Sequence, residues 1–219
     1  MKYLPIYFLL ITTTLSLFGC QNRNKSSTQI DSKSYINDFE LLQENPKNQT
    51  RVKINSPKAI IDPKNNDIEI FESSIEIINK DGNDFRVISG KSTLNNLTNT
   101  INVFNNVKIS FLDNQDYYIN TNSFEWDLNT SIIDINNPVN INFDNTKINA
   151  SNGFYNIDSS LLKIVNSEFN RNIYNSNGVA EYKVKIKSDF AKWFKKDNTL
   201  VFTSNDKQVE TTIKFLSTE

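Results

Sequence analysis

Ile101-Asn102-Val103, Val107-Lys108-Ile109, Ile133-Asp134-Ile135 and Val139-Asn140-Ile141 stand close together in the chain, and each alternates a β-branched apolar residue with a polar one. Successive side chains of a strand point to opposite faces, so this pattern marks strands with one buried face and one wet face. The same alternation occurs upstream at Ile68-Glu69-Ile70 and Ile75-Glu76-Ile77. From Phe39 onward there is almost no helical periodicity, and Asn, Asp and Pro punctuate the runs. The fold class is therefore all-β.

The runs recur at an interval. Ile54-x-Ser56 is matched by Ile88-x-Gly90, Ile119-x-Thr121, Ile148-x-Ala150 and Ile186-x-Ser188. Read as strand starts, these predict about five repeats of roughly 30 residues. A large residue follows six or seven positions later, at Ile61, Leu94, Trp126, Tyr155 and Trp193. Beyond it comes an apolar pair: Ile68 and Ile70, Ile101 and Val103, Ile133 and Ile135, Leu162 and Ile164, Leu200 and Phe202. Every unit is expected to repeat one inward-facing register. In four units the large residue precedes Asp62, Asn95, Asp127 or Asn156. These side chains bond their own backbone and begin bends, which explains their recurrence better than catalysis does.

Two architectures accommodate such a ladder: an antiparallel trough or jellyroll with two walls, and a parallel β-helix. Hairpin signals at Lys80-Asp81-Gly82-Asn83, Asp113-Asn114 and Asn136-Asn137-Pro138 favour the antiparallel trough.

The N-terminus reads differently. Met1-Lys2 is followed by a largely apolar stretch from Tyr3 to Phe18 and then Gly19-Cys20, the pattern of a secretory signal peptide. Leu17-Phe18-Gly19-Cys20 resembles the bacterial lipobox, which implies acylation of Cys20 as a membrane anchor; the alternative is an uncleaved transmembrane segment. Two or more acyl chains hold a protein stably at a bilayer. Residues 1–20 are thus read as a lipoprotein signal, 21–38 as a flexible polar linker and 39–219 as the folded domain.

Composition removes several functions. The 219 residues include 24 Lys+Arg against 25 Asp+Glu, no histidine, one cysteine, five glycines and 35 asparagines. Catalytic triads with histidine, imidazole metal sites, structural zinc and iron–sulfur clusters are excluded. A net charge of −1 offers no field for nucleic acid. No catalytic residue, metal or cofactor is expected. The asparagine excess is read as mostly background composition, and sequons such as Asn48-Gln-Thr50 as chance.

Taken in order, Phe39-x-Leu41, Val52-x-Ile54-x-Ser56, the Asp81-Gly82 hairpin, Ile88-Ser89-Gly90, Ile101-x-Val103 through Asn106-Val107-x-Ile109, Ile119-x-Thr121-x-x-Phe124-x-Trp126-Asp127 and Pro138-Val139-x-Ile141 resemble LptC. That family is the inner-membrane-anchored periplasmic component of the lipopolysaccharide export bridge. The resemblance runs over residues 39–219 and implies a β-jellyroll, or β-taco, whose walls enclose an apolar groove for acyl chains. It also implies edge-to-edge contacts with the permease subunits of the lipopolysaccharide export ABC transporter on the N-terminal side. On the C-terminal side the partner is an LptA-like bridge protein.

The inward set that would form this groove is Ile68, Ile70, Ile101, Val103, Trp126, Ile133, Ile135, Ile164, Trp193 and Phe202. A second expectation is that Lys183, Lys185 and Lys187, with Lys192, Lys195 and Lys196 nearby, attract the anionic headgroup of lipopolysaccharide or a related glycolipid. LptC relatives keep a transmembrane helix, whereas Cys20 here implies a periplasmic protein held by lipid, expected at the inner membrane. Competing readings are a β-helical surface lipoprotein or polysaccharide-acting enzyme, and a β-rich assembly scaffold.

Overall fold

The alternating runs are realised as antiparallel strands. The structure, a computed structural model, describes residues 33–45, 49–78, 85–111, 114–205 and 208–216. The strands are β1 (Ser34–Asn45), β2 (Thr50–Asp62), β3 (Asp67–Ile78), β4 (Phe85–Asn95), β5 (Thr100–Phe111), β6 (Asn114–Asp127) and β7 (Ile132–Ile135). They continue as β8 (Val139–Phe143), β9 (Thr146–Ala150), β10 (Asn152–Asn156), β11 (Leu161–Tyr174), β12 (Ala180–Phe194), β13 (Thr199–Thr203) and β14 (Glu210–Phe215). All belong to one sheet. The sites expected at residues 1–20, Cys20 included, and the turn at Lys80–Asn83 lie outside the described residues. Strand β1 begins at Ser34, inside the stretch read as linker, because Ile36 packs against the core and pairs with Ala59.

The sheet is folded over on itself. The long strands β1 to β6, β11 and β12 each run through both walls, and the shorter ones divide. Strands β7, β10 and β13 extend the first wall, and β8, β9 and β14 extend the second. At the crossing line the backbone bends. Asp38, Glu72, Asn105, Asn106 and Asn166 have positive φ there, and register shifts break the β4–β5 and β5–β6 pairings. An extra unpaired residue bends a strand in this way.

Small hydroxyl residues fill the inside of the crease: Ser56, Ser73, Ser89, Ser92, Thr121, Ser167 and Ser188 are all buried. Ser73 Oγ lies 2.7 Å from both Ser89 Oγ and Ser92 Oγ, and Ser167 Oγ lies 2.7 Å from Ser188 Oγ. Hydroxyls suit the crease because bent strands leave carbonyls without ladder partners. Ser56 bonds the carbonyls of Lys58 and Phe71, and Ser188 donates to Phe190 O at 2.9 Å.

Three details of the sequence reading change. The repeated Ile-x-small motifs do not start strands: Ser56, Thr121 and Ser188 stand at the crease, in mid-strand. The register is also off by one in the second unit. Ile88 faces outward with 52% exposure, while Val87 and Ser89 are buried. Counting from Val87, Leu94 falls seven positions on, as Ile61 does from Ile54. Finally, Asn136-Asn137-Pro138 is no hairpin. It carries the chain from β7 to β8, which do not pair with each other: β7 continues beside Glu125–Asp127 of β6 and β8 beside Tyr118–Asn120 of the same strand, so the segment crosses between walls.

The turns along the first wall obey the predicted chemistry. Asp62 Oδ1 accepts from Lys64 N at 3.0 Å, Asn95 Oδ1 from Leu97 N at 2.9 Å, Asp127 Oδ1 from Asn129 N at 2.8 Å and Asn156 Oδ1 from Ser159 N at 2.8 Å. Each turn then bonds the next: Asn96 N to Asn66 O, Leu128 N to Asn99 O, Ile157 N to Ser131 O and Lys195 N to Ser160 O. The turn closers Asn66, Asn99, Ser131, Ser160 and Asn198 all have positive φ. Asparagine tolerates this conformation better than other side chains do. In a chain with five glycines it takes over glycine's usual task, so part of the asparagine excess is structural.

Candidate functional site

The side chains between the two walls form one apolar interior. Ile70, Ile101, Val103, Ile133 and Ile135 are 0% exposed, and Ile164, Trp126 and Trp193 are buried. Ile68 and Phe202 are partly buried and pack against them. All ten expected interior residues are thus brought together, and all ten lie on the first wall. The facing wall was not singled out: Ile54, Ile75, Ile77, Val107, Ile109 and Ile141 line it, all buried. Ile75-Glu76-Ile77 and Val107-Lys108-Ile109 carried the signal, because the alternation is the same on both sides of the crease.

The strand pairings show how the positions line up. Ile61, Ile68, Leu94, Ile101, Trp126, Ile133, Tyr155, Leu162, Trp193 and Leu200 are consecutive cross-strand neighbours, a continuous row next to the rim of the first wall. One step nearer the crease lies a second row that includes Ile70, Val103, Ile135, Gly153, Ile164 and Phe202. Apart from Ser92, which stands between Ile70 and Val103 in the second row, both rows are apolar or glycine. Among the described residues, every buried polar side chain is Ser or Thr.

Aromatic rings close the walls on each other. Phe85 and Phe111 of the second wall meet Tyr155 of the first, with ring centroids 5.8 and 6.1 Å apart. Trp193 stacks on Phe143 at 5.6 Å and 10°, and meets Phe111 edge-on at 5.6 Å and 86°. Tyr117 sits 6.1 Å from Trp193 and donates to Asp144 Oδ2 at 3.3 Å. Its phenol is held above the ordinary value, chiefly by desolvation and then by the Asp144 carboxylate. Lys195 Nζ lies 4.8 Å from the Phe111 ring centre. Farther along, Phe169 and Phe202 meet across the gap at 5.5 Å. An acyl chain entering this interior has to part these contacts.

The two indoles leave one account open. Among the described residues, Trp126 Nε1 and Trp193 Nε1 are buried without a hydrogen-bond partner. Buried indole N–H groups usually find an acceptor.

The six lysines are not brought together. Lys183, Lys185 and Lys187 lie on the outer face of β12, where Lys185 pairs with Glu168 at 2.8 Å and Lys187 with Glu210 at 3.8 Å. Lys192 belongs to the first wall, and Lys195 and Lys196 to its rim turn. The Lys185 hydrogen bond, followed by that of Asn170, holds the Glu168 carboxyl below its ordinary value. A depressed carboxylate stabilises the fold above its unfolded pKa, and the contribution is lost as pH falls through the folded value. Lys185→Ala is expected to raise the Glu168 titration midpoint, read by NMR at the side-chain carboxyl carbon; an unchanged midpoint would show that the pair does not form in solution.

Among the described residues the sheet ends in two open edges: strand β1 pairs only with β2, while β13 and β14 pair only with β12. On β14, Ile213 and Phe215 share the inward-facing register of Val184 and Tyr182, yet are 54% and 77% exposed. The apolar lining therefore emerges into solvent at the C-terminal edge. Among the described residues no helix is long and apolar enough to cross a membrane, and no cluster of three potential ligands could hold a metal ion.

A family model described as lipopolysaccharide-assembly, LptC-related, matches residues 4–167. The match ends where β11 crosses the crease, so β12 to β14 lie beyond it. No curated protein matches the chain.

Proposed function

Because the chain belongs to the LptC-related family of lipopolysaccharide-assembly proteins, we propose that it takes lipopolysaccharide from an export ABC transporter and passes it to an LptA-like bridge protein. The acyl chains would travel between the two walls while the sugars stay in water. The observation that carries this reading is the continuous apolar lining, which reaches the open C-terminal edge at Ile213 and Phe215. Burial contributes about 25 cal/mol per Å², so enclosing even part of one acyl chain is favourable by several kcal/mol.

Unpaired strand edges normally invite aggregation, and sequences block them. A bridge component uses them instead, since an added strand forms a joint through backbone hydrogen bonds. In this reading β1 meets the permease subunits, and β13 and β14 meet the bridge protein. Cys20 would supply the lipid anchor to the inner membrane. Of Lys183, Lys185 and Lys187, Lys183 is the one with no ion pair among the described residues, and so the readiest of the three to meet an anionic headgroup.

The test is stepwise transfer of lipopolysaccharide from vesicles carrying the exporter to this chain, and then to a soluble LptA-like acceptor. Ile213→Pro removes a backbone donor from β14. It is expected to stop the second step and leave the first intact. Normal onward transfer would refute the edge assignment, and no uptake by the unaltered chain would refute the reading as a whole.

A further inference from the structure

We infer that the indole N–H groups of Trp126 and Trp193 are binding donors for the carbonyl oxygen at the head of an acyl chain lodged between the walls. This rests on the transport reading above and adds the chemistry by which the interior would grip its cargo. Three observations support it.

The first is the unmet donor. Both side chains are 2% exposed, and neither Nε1 has a partner among the described residues. An unsatisfied buried donor destabilises the empty protein, so an acceptor arriving with a ligand makes a hydrogen bond without displacing an existing one.

The second is position. Trp126 and Trp193 occupy equivalent places in their repeats, in the interior row next to the rim of the first wall. Trp126 directly precedes Asp127, whose carboxylate opens the rim turn, and Trp193 is followed by Phe194 and the rim turn at Lys195. In the row they are separated by Ile133, Tyr155 and Leu162, which makes four strand spacings or about 19 Å. They form two stations along the direction in which cargo would pass.

The third is the ligand chemistry that fits. Sugars and phosphates keep their hydration at the rim, and the tail offers no acceptor. The carbonyl of an ester or amide linkage sits between the two, at the depth of the indoles.

The test uses the full chain in nanodiscs of ether-linked lipid, so that no membrane ester competes. Its two tryptophans give two indole N–H resonances. The probes are the dodecanoyl ester of a disaccharide and the dodecyl ether of the same sugar. Both are expected to bind, with the ester about two- to tenfold tighter, the range of one net hydrogen bond. Only the ester is expected to move the indole protons downfield. Replacing both tryptophans with benzothienylalanine keeps the ring size and removes the N–H, and is expected to abolish the ester's advantage. Equal binding of the two probes with unmoved indole resonances would overturn the inference while leaving the transport reading standing. Binding of neither probe would overturn both.

Discussion

Phe111→Ala is expected to lower stability by about 3–5 kcal/mol, the usual cost of emptying a buried aromatic site. Phe111 is 1% exposed and sits where the walls meet. Its ring centroid is 6.3 Å from Phe85 on its own wall and 6.1 and 5.6 Å from Tyr155 and Trp193 on the other, with Lys195 Nζ at 4.8 Å. Each tilted or edge-on pair contributes about 0.5–1.5 kcal/mol beyond burial. Domains of this kind have total stabilities of about 5–15 kcal/mol, so the loss is a large share. Urea unfolding reads it directly. The same variant is expected to bind more of an apolar dye than the parent does, because the cross-wall contact is lost along with the volume. Phe111→Leu should recover most of the stability. A loss below about 1 kcal/mol for the alanine variant would show that the rings do not hold the walls together.

The second large effect is expected at Gly153. A Cβ added there would stand 2.6 Å from the Lys163 carbonyl oxygen and 2.9 Å from Ile164 Cγ2. The first of these is backbone of the paired strand, which cannot swing aside as a side-chain tip can. Gly153 pairs with both Ile135 and Ile164, so a forced shift spreads into the interior row. Gly153→Val is expected to cost about 1–3 kcal/mol or more, as overpacking does. That is a fall in melting temperature of roughly 2–4 °C per kcal/mol for a chain of this size. Gly153→Ala should move in the same direction by less. Gly178, at φ 76°, has nothing within 4 Å of an added Cβ, so alanine there meets only backbone strain. Equal melting temperatures for the Gly153 and Gly178 alanine variants would contradict the close approach of β10 and β11.

Much of this arrangement was legible in the residues. Alternation at Ile101-Asn102-Val103 or Ile133-Asp134-Ile135 identifies a strand and its buried face because a strand has a period of two. Asp62, Asn95, Asp127 and Asn156 announced the rim turns because their side chains make a short-range bond that depends only on the next few residues. The crease was not legible in the same way. Ser56, Thr121 and Ser188 were visible as a repeating small residue, but a small polar residue ends a strand as readily as it bends one. Asn136-Asn137-Pro138 has the chemistry of a reversal and serves as a crossing, since the next partner of the chain is a long-range property. The slip at Ile88 has the same origin: a β-branched residue beside a bend reads as buried until the bend is counted.

The unsingled wall and the orphan indoles show a further limit. Ile75 and Val107 alternate as well as Ile101 does, yet which two faces confront each other follows from the fold line alone. Whether an indole N–H has an acceptor depends on every neighbour within 3.5 Å, which local patterns do not encode. The lysines make the converse point. Lys183, Lys185 and Lys187 look like one cationic stripe, but Glu168 and Glu210 from neighbouring strands partner two of them.

The central claim is that acyl chains pass between the walls, and strand geometry supplies its own control. A small aliphatic diazirine residue is placed singly at Val103 and Ile135, which face inward and are 0% exposed, and at Asn102 and Asp134, their outward neighbours. Cells making lipopolysaccharide are irradiated, and the adducts on this chain are resolved. Lipopolysaccharide adducts are expected at Val103 and Ile135 and not at Asn102 or Asp134. Adducts at the outward positions alone, or only protein adducts at the inward ones, would contradict passage through the interior.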